Sequence, residues 1–357
     1  MDVAHFPGTW LQTTAGTFFV RRNDPGDGRP DAWRGDPDGQ RNGLHDTSPA
    51  LLFVHGLGGD SLDWADLVAV LADRDPELAC YAVDLPGFGA SLPPPDADVS
   101  LDAHARALDC CIEVLGLGPV HLVANSMGAA IAVRLVARRP VASLTLICPA
   151  LPDPRPPRGS WQLLPAAFPL IGPRLVAAGL RADPDWIVEQ ALRLCYGDPG
   201  RVGRDRRELL RDVVQRRATA PHGVDAYCGS LRSLIASYLR PWRLWRELAA
   251  VRVPVLVIQG ERDKLVRPRR SRRIADRMRA GFALLPDVGH VPQLEAPEVV
   301  ADLLASFVRE TWGRERTGEE SWAGAAAGDA TYPAEGMPGP RGTVEPSASR
   351  GAPQQPL

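Results

Sequence analysis

Four short stretches hold residues whose types and spacing fit nucleophilic acyl transfer. From Val120 to Gly128 the chain reads Val-His-Leu-Val-Ala-Asn-Ser-Met-Gly, an apolar run that passes into a helical pattern through a serine flanked by small residues. A serine on such a strand-to-helix turn projects its hydroxyl beyond the sheet edge. Ala124 and Gly128, two residues to either side of Ser126, must be small for strand and helix to approach. Such turns commonly carry glycine where this chain has Ala124, which keeps the small volume. Upstream, the run Leu51 to Val54 ends in His55-Gly56-Leu57-Gly58-Gly59. Alone, this is equally an ordinary tight turn. Paired with Ser126, it makes the backbone N–H groups of Leu57 and Met127 the expected oxyanion donors, each worth roughly 3 kcal/mol of barrier.

Asp263 follows the apolar run Val255 to Ile258, and His290 follows Phe282 to Leu285. In an open parallel sheet the carboxyl ends of the strands share one edge, so residues distant in sequence converge there. The chain order Ser126, Asp263, His290 suits a serine nucleophile, an imidazole that takes and returns its proton, and a carboxylate that orients the ring. Glu261 and Asp287 are rival acids close by in sequence. Asp84 is another, although its place in Asp84-Leu-Pro-Gly-Phe-Gly-Ala-Ser91 suits fixing a turn through backbone hydrogen bonds. His55 is read as a structural partner of the oxyanion turn, and His5, His45, His104, His121 and His222 as surface or core histidines.

The elements that must position these residues are legible as periodicity. Thr9 to Arg22 alternates as two antiparallel strands would. Short apolar strands at 50–54, 78–83, 120–124 and 142–147 then alternate with amphipathic helices at 62–71, 101–115 and 129–138. From Leu151 to about Ala250 strands give way to helical segments punctuated by Pro and Gly. The alternation resumes with strands at 255–258 and 282–285 and helices near 271–278 and 297–309. This is a mostly parallel sheet with helices on both faces and one helical insertion. The expected organisation is N-terminal strands (1–22), a flexible Gly/Pro/Asp/Arg-rich insertion (23–48), a first core part (49–150), a helical cap (151–250), a second core part (251–312) and a disordered tail (313–357).

Composition limits the function classes. Apolar residues at 45% and charged residues at 24% describe a globular chain, and a net charge of −2 gives no general attraction to nucleic acid. Lys264 is the sole lysine, and the Arg-dense stretches 201–217 and 267–279 interleave acids and apolar residues as solvated helix faces do. The six cysteines form no CxxC pair and no metal-ligand spacing, so reduced buried thiols are expected and a metal site is not. Met1 to Trp10 has no signal-peptide pattern, which makes the cytoplasm the default location. Trp161 to Leu180 is the most apolar long stretch. Its three prolines and Arg174 argue against a membrane span and for short helices packed over a site.

The set His55-Gly56, Asp84-Leu-Pro-Gly-Phe-Gly89, Asn125-Ser126-Met127-Gly128, Gly260-Glu-Arg-Asp263 and Gly289-His290 with Pro292 and Glu295 resembles the α/β-hydrolase superfamily over about residues 50 to 310. The resemblance implies an eight-stranded sheet with helices on both faces, a Ser-His-Asp triad and a helical cap inserted after the sixth strand. It further implies esterase, thioesterase, lipase or related hydrolysis without a cofactor. Asn125 before the serine is similar to the Asn-Ser pair of C–C bond hydrolases that act on ring-cleavage products. Ser126 stands where epoxide hydrolases and haloalkane dehalogenases of this fold need aspartate. The expected substrate is a small to medium, largely apolar ester or thioester. The alternatives are a C–C bond hydrolase and a non-catalytic protein that binds a small ligand under its cap. Trp161, Leu163, Leu164, Phe168, Leu170 and Trp186 are expected to pack on the sheet, and less to line a pocket.

Overall fold

The computed structural model describes residues 6–23, 50–94, 96–152, 157–220, 222–317 and 330–331. Two antiparallel strands, β1 (Gly8–Thr13) and β2 (Gly16–Arg22), open a sheet that continues with β3 (Ala50–Val54), β4 (Ala79–Val83), β5 (His121–Asn125), β6 (Ser143–Ile147), β7 (Val255–Gly260) and β8 (Gly281–Leu285). The spatial order is β1-β2-β4-β3-β5-β6-β7-β8, with every pair from β4 onward parallel. The eight expected strands are therefore present. Ala330–Thr331 pairs parallel to β8 as a short ninth, β9.

Helices α1 (Ala65–Arg74), α2 (Leu101–Val114) and α3 (Met127–Val136) connect the first strands. Between β6 and β7 lie α4 (Arg158–Trp161), α5 (Leu164–Ala167), α6 (Gly172–Ala182), α7 (Pro184–Cys195), α8 (Arg204–Thr219), α9 (Gly223–Tyr238) and α10 (Pro241–Ala250). The chain closes with α11 (Pro268–Met278), α12 (Pro292–Glu295) and α13 (Pro297–Thr317). Among the described residues, no helix is long and apolar enough to cross a membrane. The last helix runs past Trp312, where its apolar face had ceased to be readable, and most of the 23–48 and 313–357 segments lie outside the described residues.

Strand period and burial agree. Along β3, Leu52 and Val54 enter a core shared with α2, α3 and α11, while Leu51 and Phe53 enter a second core shared with α1 and α13. Both faces being covered explains why the parallel strands read as continuous apolar runs. The inserted helices hold a third, smaller core of Leu180, Val188, Leu192, Tyr196 and Val214. Trp161, Leu164, Phe168, Leu170 and Trp186, expected to pack on the sheet, are instead exposed. Apolar spacing identifies a helix face but does not say whether another element covers it.

Two glycines set how closely the site-bearing loops approach. A Cβ on Gly128 would stand 2.5 Å from the Val54 carbonyl oxygen, so α3 can abut β3 only without a side chain there. A Cβ on Gly260 would stand 1.9 Å from the Gly289 carbonyl oxygen, where the loops after β7 and β8 meet. We expect Gly260→Ala to destabilise the fold by about 3 kcal/mol, because backbone must move to admit it. Urea unfolding measures the change.

Candidate active site

Ser126 sits at the turn between β5 and α3 with φ 53° and ψ −116°, a left-sided backbone conformation that a serine adopts only under strain. The end of β6 and the loop after it hold it there: its N–H donates to Ile147 O at 3.0 Å, and its carbonyl accepts the Ala150 N–H at 3.1 Å. α3 begins directly after the serine, two residues earlier than periodicity indicated, so the Met127 N–H is the first of a helix and has no acceptor within it.

The three residues expected to converge do so. Ser126 Oγ lies 2.8 Å from His290 Nε2, and His290 Nδ1 lies 2.8 Å from Asp263 Oδ2. The Asp263 carboxylate also accepts N–H groups from Leu265 (2.8 Å) and Val266 (2.9 Å) on Oδ1 and the Gln259 side-chain amide (3.0 Å) on Oδ2. Burial alone would raise its pKa, but His290 and the N–H groups of Val266 and Leu265 overcome that effect and hold it below the ordinary carboxylate value. An anionic Asp263 fixes the proton on Nδ1 and leaves Nε2 free to accept from the serine.

The rival acids are elsewhere. Glu261 is exposed, Asp287 pairs with Arg262, and Asp84 accepts the N–H groups of Ser61 (2.6 Å) and Ala90 (2.7 Å), as its turn-fixing reading required. His55 Nε2 accepts the Leu85 N–H at 3.0 Å, so its Nδ1 carries the proton and donates to Gly56 O at 2.8 Å. Burial lowers its pKa to about 4, and the ring stays neutral as a brace of the 55–59 turn. That turn lies beside the serine, since a Cβ on Gly56 would stand 3.1 Å from Ser126 Cβ. His104 and His121 are buried against Ser230 and Ser143, and His5 and His45 lie outside the described residues.

Several contributors had no sequence signal beyond their place near a motif. Gln259 bridges Asp263 to Ser271, whose hydroxyl donates to Gln259 Oε1 at 2.6 Å. Asn125 donates to Ile147 O (3.2 Å) and to His290 O (3.1 Å), tying the serine turn to the histidine loop. This role accounts for an asparagine before the serine without C–C bond chemistry. Cys148 accepts the Gly260 N–H on its sulfur at 3.4 Å. Its thiol, Asp263 and His290 form the one group of metal-ligating atoms within 4.8 Å of one another among the described residues. The Asp and His atoms are engaged with each other, and burial keeps the thiol protonated.

The inserted helices reach the same edge at residues 193–197. The Lys264 ammonium donates to Arg193 O (2.6 Å) and Tyr196 O (3.1 Å), the His290 N–H donates to Cys195 O (2.6 Å), and Glu295 accepts the N–H groups of Gly197 and Gly289 at 2.8 Å each. Arg217 of α8 donates to Gly58 O.

An open parallel sheet with serine, histidine and aspartate joined at its carboxyl edge defines the α/β-hydrolase class. The alpha/beta hydrolase family matches residues 51–303, and the chain belongs to that family. It is 29% identical over 264 residues to a dihydrolipoyllysine-residue acetyltransferase component of an acetoin cleaving system from Pseudomonas putida, covering 73% of this chain and 63% of that protein, so it spans less than two thirds of that relative. It is 31% identical over 214 residues to an epoxide hydrolase of Mycobacterium tuberculosis, covering 56% of this chain and 90% of that protein. To a lipase of Moraxella sp. it is 26% identical over 277 residues, covering 73% and 78%.

Burial raises the Glu295 pKa from 4.5 to about 7. The folded state therefore holds this proton more tightly than the unfolded chain, and the group's contribution to stability falls as pH rises from about 4.5 to 7. Glu295→Gln removes that dependence. We expect the melting temperature of the variant, measured against the parent, to shift in the variant's favour across this window and to level off above it.

Proposed function

We propose that the chain is a serine hydrolase that cleaves a carboxylic ester or thioester of a small to medium, largely apolar substrate through an acyl-enzyme on Ser126. The observation that carries this reading is the unbroken relay from Ser126 Oγ through the His290 imidazole to Asp263, with both links at 2.8 Å. His290 Nε2 takes the hydroxyl proton as Oγ attacks the acyl carbon, and the charge developing on the carbonyl oxygen is met by the N–H groups of Leu57 and Met127. The imidazolium returns its proton to the leaving alcohol or thiol as that bond breaks. A water deprotonated by the same ring then releases the acid and restores Ser126.

Residues 151–250 serve in this reading as the cap that selects the substrate. The similarity to a lipase supports ester cleavage. Ser126 stands where the resemblance puts an aspartate in epoxide hydrolases of this fold, which sets epoxide opening apart from this reading. Six cysteines without disulfide partners favour a reducing compartment such as the cytoplasm.

A fluorophosphonate probe should modify Ser126, identified by peptide mass spectrometry, and a folded chain left unmodified there would remove the nucleophile. Ser126→Ala should lower kcat on p-nitrophenyl esters by about 10⁴ to 10⁶. Unchanged turnover in that variant would place the chemistry elsewhere.

A further inference from the structure

The segment that failed to pack on the sheet carries a surface of unusual character. Trp161 is 61% exposed, Phe168 61%, Leu170 79%, Ile171 60% and Leu175 52%. Along α6 and the residue before it, Ile171, Arg174, Leu175, Ala178 and Arg181 follow one another at helical spacing, and all are exposed. That face thus alternates apolar side chains with guanidinium groups.

Residues 157–182 contain three arginines, Arg158, Arg174 and Arg181, and no acid. Among the described residues none of the three has an ion-pair partner. In α8 the opposite holds: Arg206 pairs with Asp66, Arg207 with Glu189, Arg211 with Asp185 and Arg216 with Asp60. The two guanidinium groups of α6 border a groove of about 490 Å³ that is otherwise lined mainly by small residues, with Asp225 as its one acid. The surface also adjoins the candidate site, because Ser160 of α4 donates to Leu265 O at 2.9 Å, two residues beyond Asp263.

We infer that the α4–α6 face docks on a bilayer containing anionic phospholipid, its apolar side chains entering the acyl boundary while Arg158, Arg174 and Arg181 meet phosphate groups. Exposed apolar and basic residues interleaved along one short segment, and on one face of α6, match an interface that is apolar at one depth and negatively charged at another. A purely apolar protein partner would leave the three arginines unanswered. The chain would lie on the membrane and not span it.

The test is sedimentation of the full chain with vesicles of phosphatidylcholine, with and without phosphatidylglycerol. Binding should require phosphatidylglycerol and weaken with added salt. Arg174→Gln with Arg181→Gln should weaken it by roughly 30-fold, at about fivefold per charge. Leu170→Ser with Ile171→Ser should weaken it by about tenfold or more. Both pairs lie on the exposed surface, so circular dichroism and thermal unfolding should match the parent. Running the assay also with Ser126→Ala separates this inference from the proposed hydrolysis, since docking does not need the nucleophile. A chain that stays in solution with both vesicle types, or binds equally after the apolar pair is replaced, overturns the inference. So does a dimer seen by light scattering that the Leu170→Ser and Ile171→Ser pair dissociates, because a second copy would then be the occupant.

Discussion

Everything at the candidate site depends on holding one imidazole from several directions. His290 is fixed at its ring by Ser126 and Asp263 and at its backbone by Cys195 and Asn125, so neither the ring nor the loop beneath it has slack. Holding it so requires the loops after β7 and β8 to lie almost in contact, which Gly260 permits, while Gly289 lets residues 195–197 close against the histidine loop. An anionic Asp263 then sets the ring's tautomer. Its own charge is sustained by two backbone N–H groups and the amide of Gln259, donors already in place that need not reorient during a reaction.

The helices between β6 and β7 are wired into the same arrangement. Residues 193–197 receive a hydrogen bond from His290 itself, others from Lys264 next to Asp263, and a link through Glu295 to Gly289. In a chain that otherwise uses arginine for its cations, the one lysine stands where a compact ammonium group can sit between two carbonyls at the end of α7. A cation also suits the carboxyl end of a helix. Displacing that end would thus disturb the acid and the histidine together.

Much of this was readable from residue order. Short continuous apolar runs, separated by amphipathic helices, gave the parallel sheet, and sheet topology alone then brought Ser126, Asp263 and His290 to one edge. The supporting residues were not readable. Gln259 lies in an apolar strand, Cys148 looks like any core thiol, and Glu295, although part of the family resemblance, gave no sign of the main-chain groups it accepts from. Cys148 meets Gly260 and Glu295 meets Gly197 across about a hundred residues, so only the packed chain reveals these contacts. Trp161, Phe168 and Leu170 were misread for a related reason: hydrophobicity records a preference for leaving water, not the identity of the surface that receives the side chain.

Contacts at residues 193–197 involve the main chain: the carbonyls of Arg193, Cys195 and Tyr196 and the N–H of Gly197. Main-chain atoms are the same whatever side chain is attached. These bonds therefore place little restriction on which residues stand at 193 and 195, and the composition of the overlying helices can drift while the proton relay keeps its geometry. Tyr196, packed in the third core, and Gly197 lack this freedom; a Cβ on Gly197 would stand 2.3 Å from the Asp287 carbonyl oxygen.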